Sequence, residues 1–384
     1  MSFRAIISAV SKLITYIRKD PILIVSGILA AISCFIVPPD NEYPGYMNFK
    51  VLAILMSLML VVAILLRIGT FDYLTDKLLG RTDSSRTVSL LITLLSFFMA
   101  MFLTNDVALV TLVPFGIAAL KPFNDRRSMM FTLILMTVAA NLGSMLTPIG
   151  NPQNLYLYNH YDMKPLAFIK LMLPYSALSL ALIITALFIL VKNKKTENTA
   201  DIRSGKPHTG KLLICLALFI VCILAVAQII NWILMFAIVI AAALILDRKA
   251  FKYVDYHLLI TFVFFFILTG NLGRINIVYD TISRIVAVSP VLTAVAASQI
   301  ISNVPAAMLL STFTEDGAAL VIGTNLGGLG TLIASMASLI TYRFYTSLDH
   351  GTLKGSRTIG YLPAFTVINV LFLAVLLLFW RMIL

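Results

Sequence analysis

Charge is scarce in this chain. Only 12% of its 384 residues are Asp, Glu, Lys or Arg, about half the ~25% of a soluble globular domain. Cysteine is also scarce. Cys34, Cys215 and Cys222 stand in apolar runs without redox or metal-ligand spacing, so they read as packing residues. Histidine numbers four. His160, His208, His257 and His350 fall in loops or at the ends of apolar runs, which supports neither a histidine proton relay nor a metal site. No Gly-x4-Gly-Lys-Ser/Thr loop is present, so the sequence carries no sign of ATP hydrolysis. The first long apolar run has no small-residue cleavage site after it, so no removable leader is expected. No nucleophile–base pair lies within the apolar runs, which argues against an enzyme and leaves a membrane scaffold as a remote alternative.

What is present is apolar sequence: 60% hydrophobic residues and a mean hydropathy of +0.97. Several runs approach the roughly 20 residues needed to cross a bilayer as a helix. The fold class is therefore an all-α polytopic membrane protein, with the lipid bilayer as its first partner. The net charge of +12 does not signal nucleic acid. The Lys and Arg residues cluster in short loops between runs, where cytoplasmic loops carry them.

The charge bias sets a topology. Residues 1–20 alternate apolar and basic positions at helical spacing, predicting an interfacial amphipathic helix. Residues 21–50 hold an extra first span and an acidic outer loop. Residues 51–192 form a first repeat, with a hairpin over 87–121 that breaks at Thr104, Asn105 and Asp106, and an interrupted span over 128–158. Two short full spans are the alternative to that hairpin. Residues 193–256 are a linker with two connecting spans. Residues 257–384 form a second repeat, with a hairpin over 281–315 that breaks at Ser302, Asn303, Val304 and Pro305, and an interrupted span over 317–341. The count is nine crossings plus two re-entrant hairpins. The N-terminus is expected in the cytoplasm and the C-terminus outside. The first repeat starts outside and the second inside, the pattern of an inverted repeat.

The two interrupted spans share a motif. Asn141–Leu155 and Asn325–Leu339 both fit N-L-G-x-x-x-T-x-I-x-[NS]-x-x-[NS]-L. Such paired breaks point to a transporter's binding site. Backbone freed at membrane depth is tolerated only inside protein or along a watery cavity. Its carbonyls, with Asn, Ser and Thr oxygens, suit Na+; the N–H groups of half-helix starts suit an anion. Thr104, Asn105, Asp106, Ser302, Asn303, Asn141 and Asn325 are therefore candidates for the coupling cation. Thr147, Pro148, Asn151, Asn154, Gly143, Gly327, Thr331 and Pro305 are candidates for the substrate cavity. Each has a plainer reading: Asp106 as a helix cap, the asparagines as turn residues, the glycines as close-packing positions. Asp106 is the one acid placed near the midplane, where a carboxylate is costly and functional by default. Glu315 and Asp316 read as a solvated helix start.

At these motifs the chain resembles the ion transporter superfamily, and within it the divalent anion:sodium symporters and citrate-transporter-like permeases. The arsenical-pump membrane subunit and D-type sodium/proton antiporters are more distant. The symporters carry paired Ser-Asn-Thr signatures at two hairpin tips, matched here by Thr104-Asn105-Asp106 and Ser302-Asn303-Val304-Pro305. The resemblance implies a plasma- or inner-membrane homodimer. It implies a transport domain that moves like an elevator, and Na+ bound at each tip beside a small anionic substrate. Beyond Na+ it implies no cofactor. Asp106 stands where the symporters have a neutral Thr. That raises proton coupling, and with it the alternatives of sodium/proton exchange or arsenite-type efflux.

Overall fold

The computed structural model describes residues 21–79, 84–195, 208–348 and 360–383. The amphipathic helix expected over 1–20 lies outside the described residues. Among those described, the chain is eighteen α-helices and no strand, with one isolated bridge between Ser84 and Lys195. The helices are α1 (Pro21–Ile36), α2 (Tyr43–Tyr46), α3 (Phe49–Arg67), α4 (Thr70–Leu79), α5 (Ser85–Ala100), α6 (Asn105–Leu120), α7 (Arg126–Ser144), α8 (Pro152–His160) and α9 (Pro165–Leu190). They continue with α10 (Thr209–Val226), α11 (Trp232–Leu246), α12 (Tyr256–Gly273), α13 (Asn276–Val288), α14 (Pro290–Ile301), α15 (Asn303–Leu310), α16 (Gly317–Gly327), α17 (Met336–Ser347) and α18 (Tyr361–Ile383).

By length and composition, six described helices can cross a membrane: α3, α6 with its 3-10 extension to Phe123, α9, α10, α12 and α18. The other expected crossings are shorter helices, such as α1 and α11, or broken pairs. Two elements were not foreseen. The basic segment after α3 contains α4, and the segment after α12 contains α13, which meets α14 at a bend of 113°. Both follow a Leu/Gly-Arg-Ile step, at Arg67 and Arg274. The second hairpin's first arm is therefore α14 alone, beginning at Pro290 rather than near Thr281.

The repeat reappears in the helix starts. The cap residues Asn48, Ser84, Asp125, Asp255, Ser289 and Asp316 each accept a first-turn backbone N–H, at α3, α5, α7, α12, α14 and α16. These are three repeat-related pairs, each satisfying an orphan donor as Asp, Asn and Ser caps do. The remaining two pairs, α6 with α15 and α8 with α17, start at the breaks. Their cap residues Thr104, Ser302, Asn151 and Ser335 make no such bond.

Packing crosses between the halves. Within each repeat the first hairpin arm lies on the interrupted span, α5 on α7 and α14 on α16. The approach is close enough that a Cβ at Gly143 would overlap the Phe97 carbonyl, and one at Gly327 would stand 2.6 Å from Ser298 Oγ. The second arms lie on that span too and also reach across, α6 onto α17 and α15 onto α8. At one end of the bundle, Arg274 holds Asp40 at 2.7 Å and Tyr46 Oη at 3.0 Å, while Asn271 donates to Ser33 Oγ and Tyr43 Oη, both at 2.9 Å. Those bonds clip α1 and its following loop to α12. Arg67 pairs with Asp247 and donates to Tyr253 Oη at 3.3 Å; the hydrogen bond from Arg67 holds the Asp247 carboxyl below its ordinary range.

Candidate functional site

The crossed packing brings four half-helix starts together. Between them lies a cavity of about 30 Å3, room for one ion or water molecule rather than a polycarboxylate. Asn105 and Asp106 come from α6, Pro152 and Gln153 from α8, Ser302 to Pro305 from α15, and Ser335 and Met336 from α17. Ile22 of α1 and Asp255, Leu258 and Thr261 at the start of α12 complete the lining. Pro152 occupies the first turn of α8 and Pro305 that of α15, where a missing N–H costs nothing.

At the first tip, Asn105 is 4% exposed. Its Nδ2 donates to Asn141 Oδ1 at 2.8 Å, and Ser335 Oγ reaches the same oxygen at 3.0 Å. Asn105 Oδ1 accepts the Asp106 N–H at 2.9 Å. A hairpin tip, an interrupted span and the other repeat's span thus meet on one amide. Asp106 sits in the first turn of α6, and its Oδ1 is buried without a hydrogen-bond partner, so that oxygen is not spent on capping.

The second tip is built differently. Ser302 has φ +73 and ψ 156, a region open essentially only to glycine. The Asn303 N–H donates to the Ala334 carbonyl at 3.0 Å. Asn325 donates instead to Asn154 Oδ1 and to the Val321 carbonyl, both at 2.7 Å. Asn151 donates to Ser144 Oγ at 2.6 Å. The Oδ1 atoms of Asn325 and Asn151 are both buried and accept no hydrogen bond. Counterparts of the bonded trio Asn105, Asn141 and Ser335 are Asn303, Asn325 and Asn151, and that second set leaves two oxygens unused.

Thr104, Asn105, Asp106, Ser302, Asn303 and Pro305 therefore gather around the cavity, with Thr104 as the cap residue behind it. Asn141, Gly143, Asn325 and Gly327 lie buried in the last turns of α7 and α16, Asn151 is the residue before α8 and Asn154 lies in its first turn. The breaks themselves are 145–151 and 328–335, later than the expected interruptions from Asn141 and Asn325. Thr147 and Thr331 do not line the cavity. Thr147 Oγ1 donates to the Met101 carbonyl, and Thr331 Oγ1 to the Gln299 carbonyl at 3.3 Å. Met101 and Gln299 each lie four residues before the tip asparagine, so the paired threonines tie each broken span to its own hairpin. Pro148 is buried in the first break.

Four contributors were missed. Ser335 was visible as the [NS] partner of Asn151 in the shared motif. Gln299, a lone amide in an apolar helix, bonds the Gly327 and Leu329 carbonyls at 2.9 Å and the Thr331 N–H at 2.9 Å. Gln153 stood inside the polar run but was not singled out. Asp255, in the linker, gave no repeat signal at all. Among the described residues no group of His, Cys, Asp or Glu side chains is placed to hold a metal ion.

With this geometry in view, comparison places the chain. A family described as Citrate transporter matches residues 9–316. An uncharacterized transporter of Methanocaldococcus jannaschii is 34% identical over 314 residues, 81% of this chain and 84% of the relative. An inner membrane protein of Escherichia coli is 30% identical over 333 residues, 85% and 87% of the two chains. A silicon efflux transporter of Oryza sativa is 28% identical over 148 residues, 38% and 30% of the two. The protein is a multi-pass membrane transporter and belongs to the citrate transporter family, within the ion transporter superfamily.

Proposed function

We propose that this chain moves a small anion across the membrane by secondary-active transport, coupled to Na+ or H+ loaded at Asp106 and the hairpin tips. One observation carries the reading: four half-helix starts without side-chain caps, two from each repeat, converge on one cavity that also holds Asp106. Each helix start carries about half a positive charge, and uncapped starts are ready anion sites. Asp106 supplies the coupling. An anion about 4 Å from an ionised carboxylate is opposed by about 4 kcal/mol at an effective dielectric constant near 20, roughly a thousandfold in affinity. A proton or Na+ on Asp106 removes that opposition, so cation and anion bind together. Cargo larger than an ion requires the tips to separate from α8 and α17, a movement that elevator-type rearrangement of the hairpins provides.

Transport in proteoliposomes under imposed Na+ and pH gradients tests this, with citrate, succinate, sulfate and arsenite as cargo. Asp106→Asn is expected to abolish the dependence of transport on the driving gradient. Gradient-driven uptake that survives intact in this variant overturns the role. Exchange or efflux, with Asp106 carrying a proton against the cargo, is the second reading. It is favoured by the absence of any Lys, Arg or His among the described residues lining the cavity. Opposite directions of cargo and proton flux distinguish it from symport.

A further inference from the structure

Asp106 is not the only carboxylate at the cavity. Asp255, in the linker between the repeats, lines the same space. It is exposed, and its Oδ1 accepts the Leu258 N–H at 3.0 Å as the cap of α12. The plain account of Asp255 ends with that cap. The cavity adds a second observation. Gln153 is 1% exposed, lines the same space, and its Nε2 has no hydrogen-bond partner. Buried amide donors are ordinarily satisfied, so the unpartnered Gln153 N–H marks a place for a water or anion oxygen, while the unpartnered Oδ1 of Asp106 in the same lining is the acceptor that suits a cation. Among the described residues, the lining side chains of α1, α8, α15 and α17 carry no titratable group, and Asp106 and Asp255 are the two that do. Close to Asp255 in sequence are Lys252, Tyr253, Tyr256 and His257, and Tyr253 is held by Arg67. Two like charges on a space of this size raise its affinity for a monovalent cation and make each carboxylate harder to leave bare.

We propose that Asp255 is the mouth carboxylate of the central cavity: it draws a monovalent cation, H+ or Na+, from the aqueous phase and strengthens its binding at Asp106. The inference rests on Asp106 being the cation carrier. Its placement gives Asp255 a function without touching the cargo. From an exposed position it contacts bulk solution, and across the shared cavity it acts on the buried site. It caps α12 as Asn48 caps α3, so the carboxylate stands where the other half of the chain has a neutral amide.

Asp255→Asn and Asp255→Ser test this cleanly, because Asn, Ser and Asp are comparable N-caps. Both variants keep the helix start and remove only the charge. The full-length protein in detergent is titrated by thermal unfolding in two arms. One replaces choline chloride by NaCl at constant ionic strength; the other varies pH without Na+. The arm that responds in the native protein identifies the cation. In that arm both variants are expected to need about tenfold more cation for half-maximal stabilisation, a rise in the NaCl midpoint or a fall of about one pH unit. Midpoints identical to the native protein in both variants overturn the proposal and leave Asp255 a cap. Asp255→Ala, which loses the cap as well, lowers the unfolding temperature on either account. Failure of the underlying reading looks different: Asp106→Asn would then titrate like the native protein.

Discussion

Asn105 and Asn141 are joined amide to amide at 2.8 Å, whereas their counterparts Asn303 and Asn325 are not joined to each other. Asn325 turns its amide to Asn154 and Val321. The duplicated motif thus yields one tip closed by its own hydrogen bonds and one whose buried oxygens, on Asn325 and Asn151, have no donor. Carbonyl oxygens without donors are cation ligands.

Where the coupling ion is Na+, the oxygens of the second tip are expected to share it with Asp106. Raising NaCl to about 100 times the dissociation constant stabilises the native state by about 2.7 kcal/mol. The gain appears as a higher unfolding temperature against choline chloride controls. Asn325→Ala removes that gain, while Asn48→Ala, far from the breaks in the α3 cap, keeps it. An unchanged Na+ response in Asn325→Ala would contradict the assignment.

Gly143→Ala tests the close approach of α5 and α7. The new methyl meets the Phe97 carbonyl, and overpacking of a fitted interior costs about 1–3 kcal/mol. Gly45→Ala, with nothing within 4 Å of the added carbon, leaves stability unchanged to within roughly 0.5 kcal/mol. Chemical unfolding in detergent compares the two.

Ser302→Gly relieves the backbone at the second tip. The conformation costs a serine about 1–3 kcal/mol, offset in part by the extra freedom of glycine in the unfolded chain. A net gain of about 1 kcal/mol is expected, with slower transport if the strain keeps the tip ready to open. A variant less stable than the native protein refutes the strain.

Acid sensitivity has an address outside the membrane. Burial alone would raise the Asp125 carboxyl, but bonds from the Ser128 N–H and hydroxyl, with Lys194 3.6 Å away, outweigh it and hold it below the ordinary carboxylate range. A carboxylate so depressed adds stability above its unfolded pKa and loses it as pH falls through the lower folded value. Unfolding temperature should drop below about pH 4, and less steeply in Asp125→Asn, which keeps the α7 cap without the charge. Asp125→Ala loses about 1 kcal/mol at neutral pH.

Much of this was legible because breaks in apolar sequence are loud. Asn105, Asp106, Ser302, Asn303 and Pro305 stood out against hydrocarbon and do meet at one cavity. Thr147 and Thr331 were legible as a pair, but not in their task. Their hydroxyls bond carbonyls of their own hairpins, and only coordinates reveal which carbonyl is free. Asp255 was illegible for the opposite reason: an acid in a basic loop is ordinary, and its neighbourhood is set by packing of α12 against α1 and α15. Helices α4 and α13 hid because short amphipathic segments resemble loops when the eye seeks long apolar runs.

The crossed packing of second arms has a consequence for how the protein is made. Asn105 lies 3.5 Å from a partner, Ser335, that is 230 residues later in the chain. At about 5–20 residues per second, the ribosome delivers that partner roughly 10–50 s after the first tip. Throughout that interval the first hairpin waits in the bilayer with its polar tip incomplete. Neither half lines the cavity by itself, so the site forms only once both have been made.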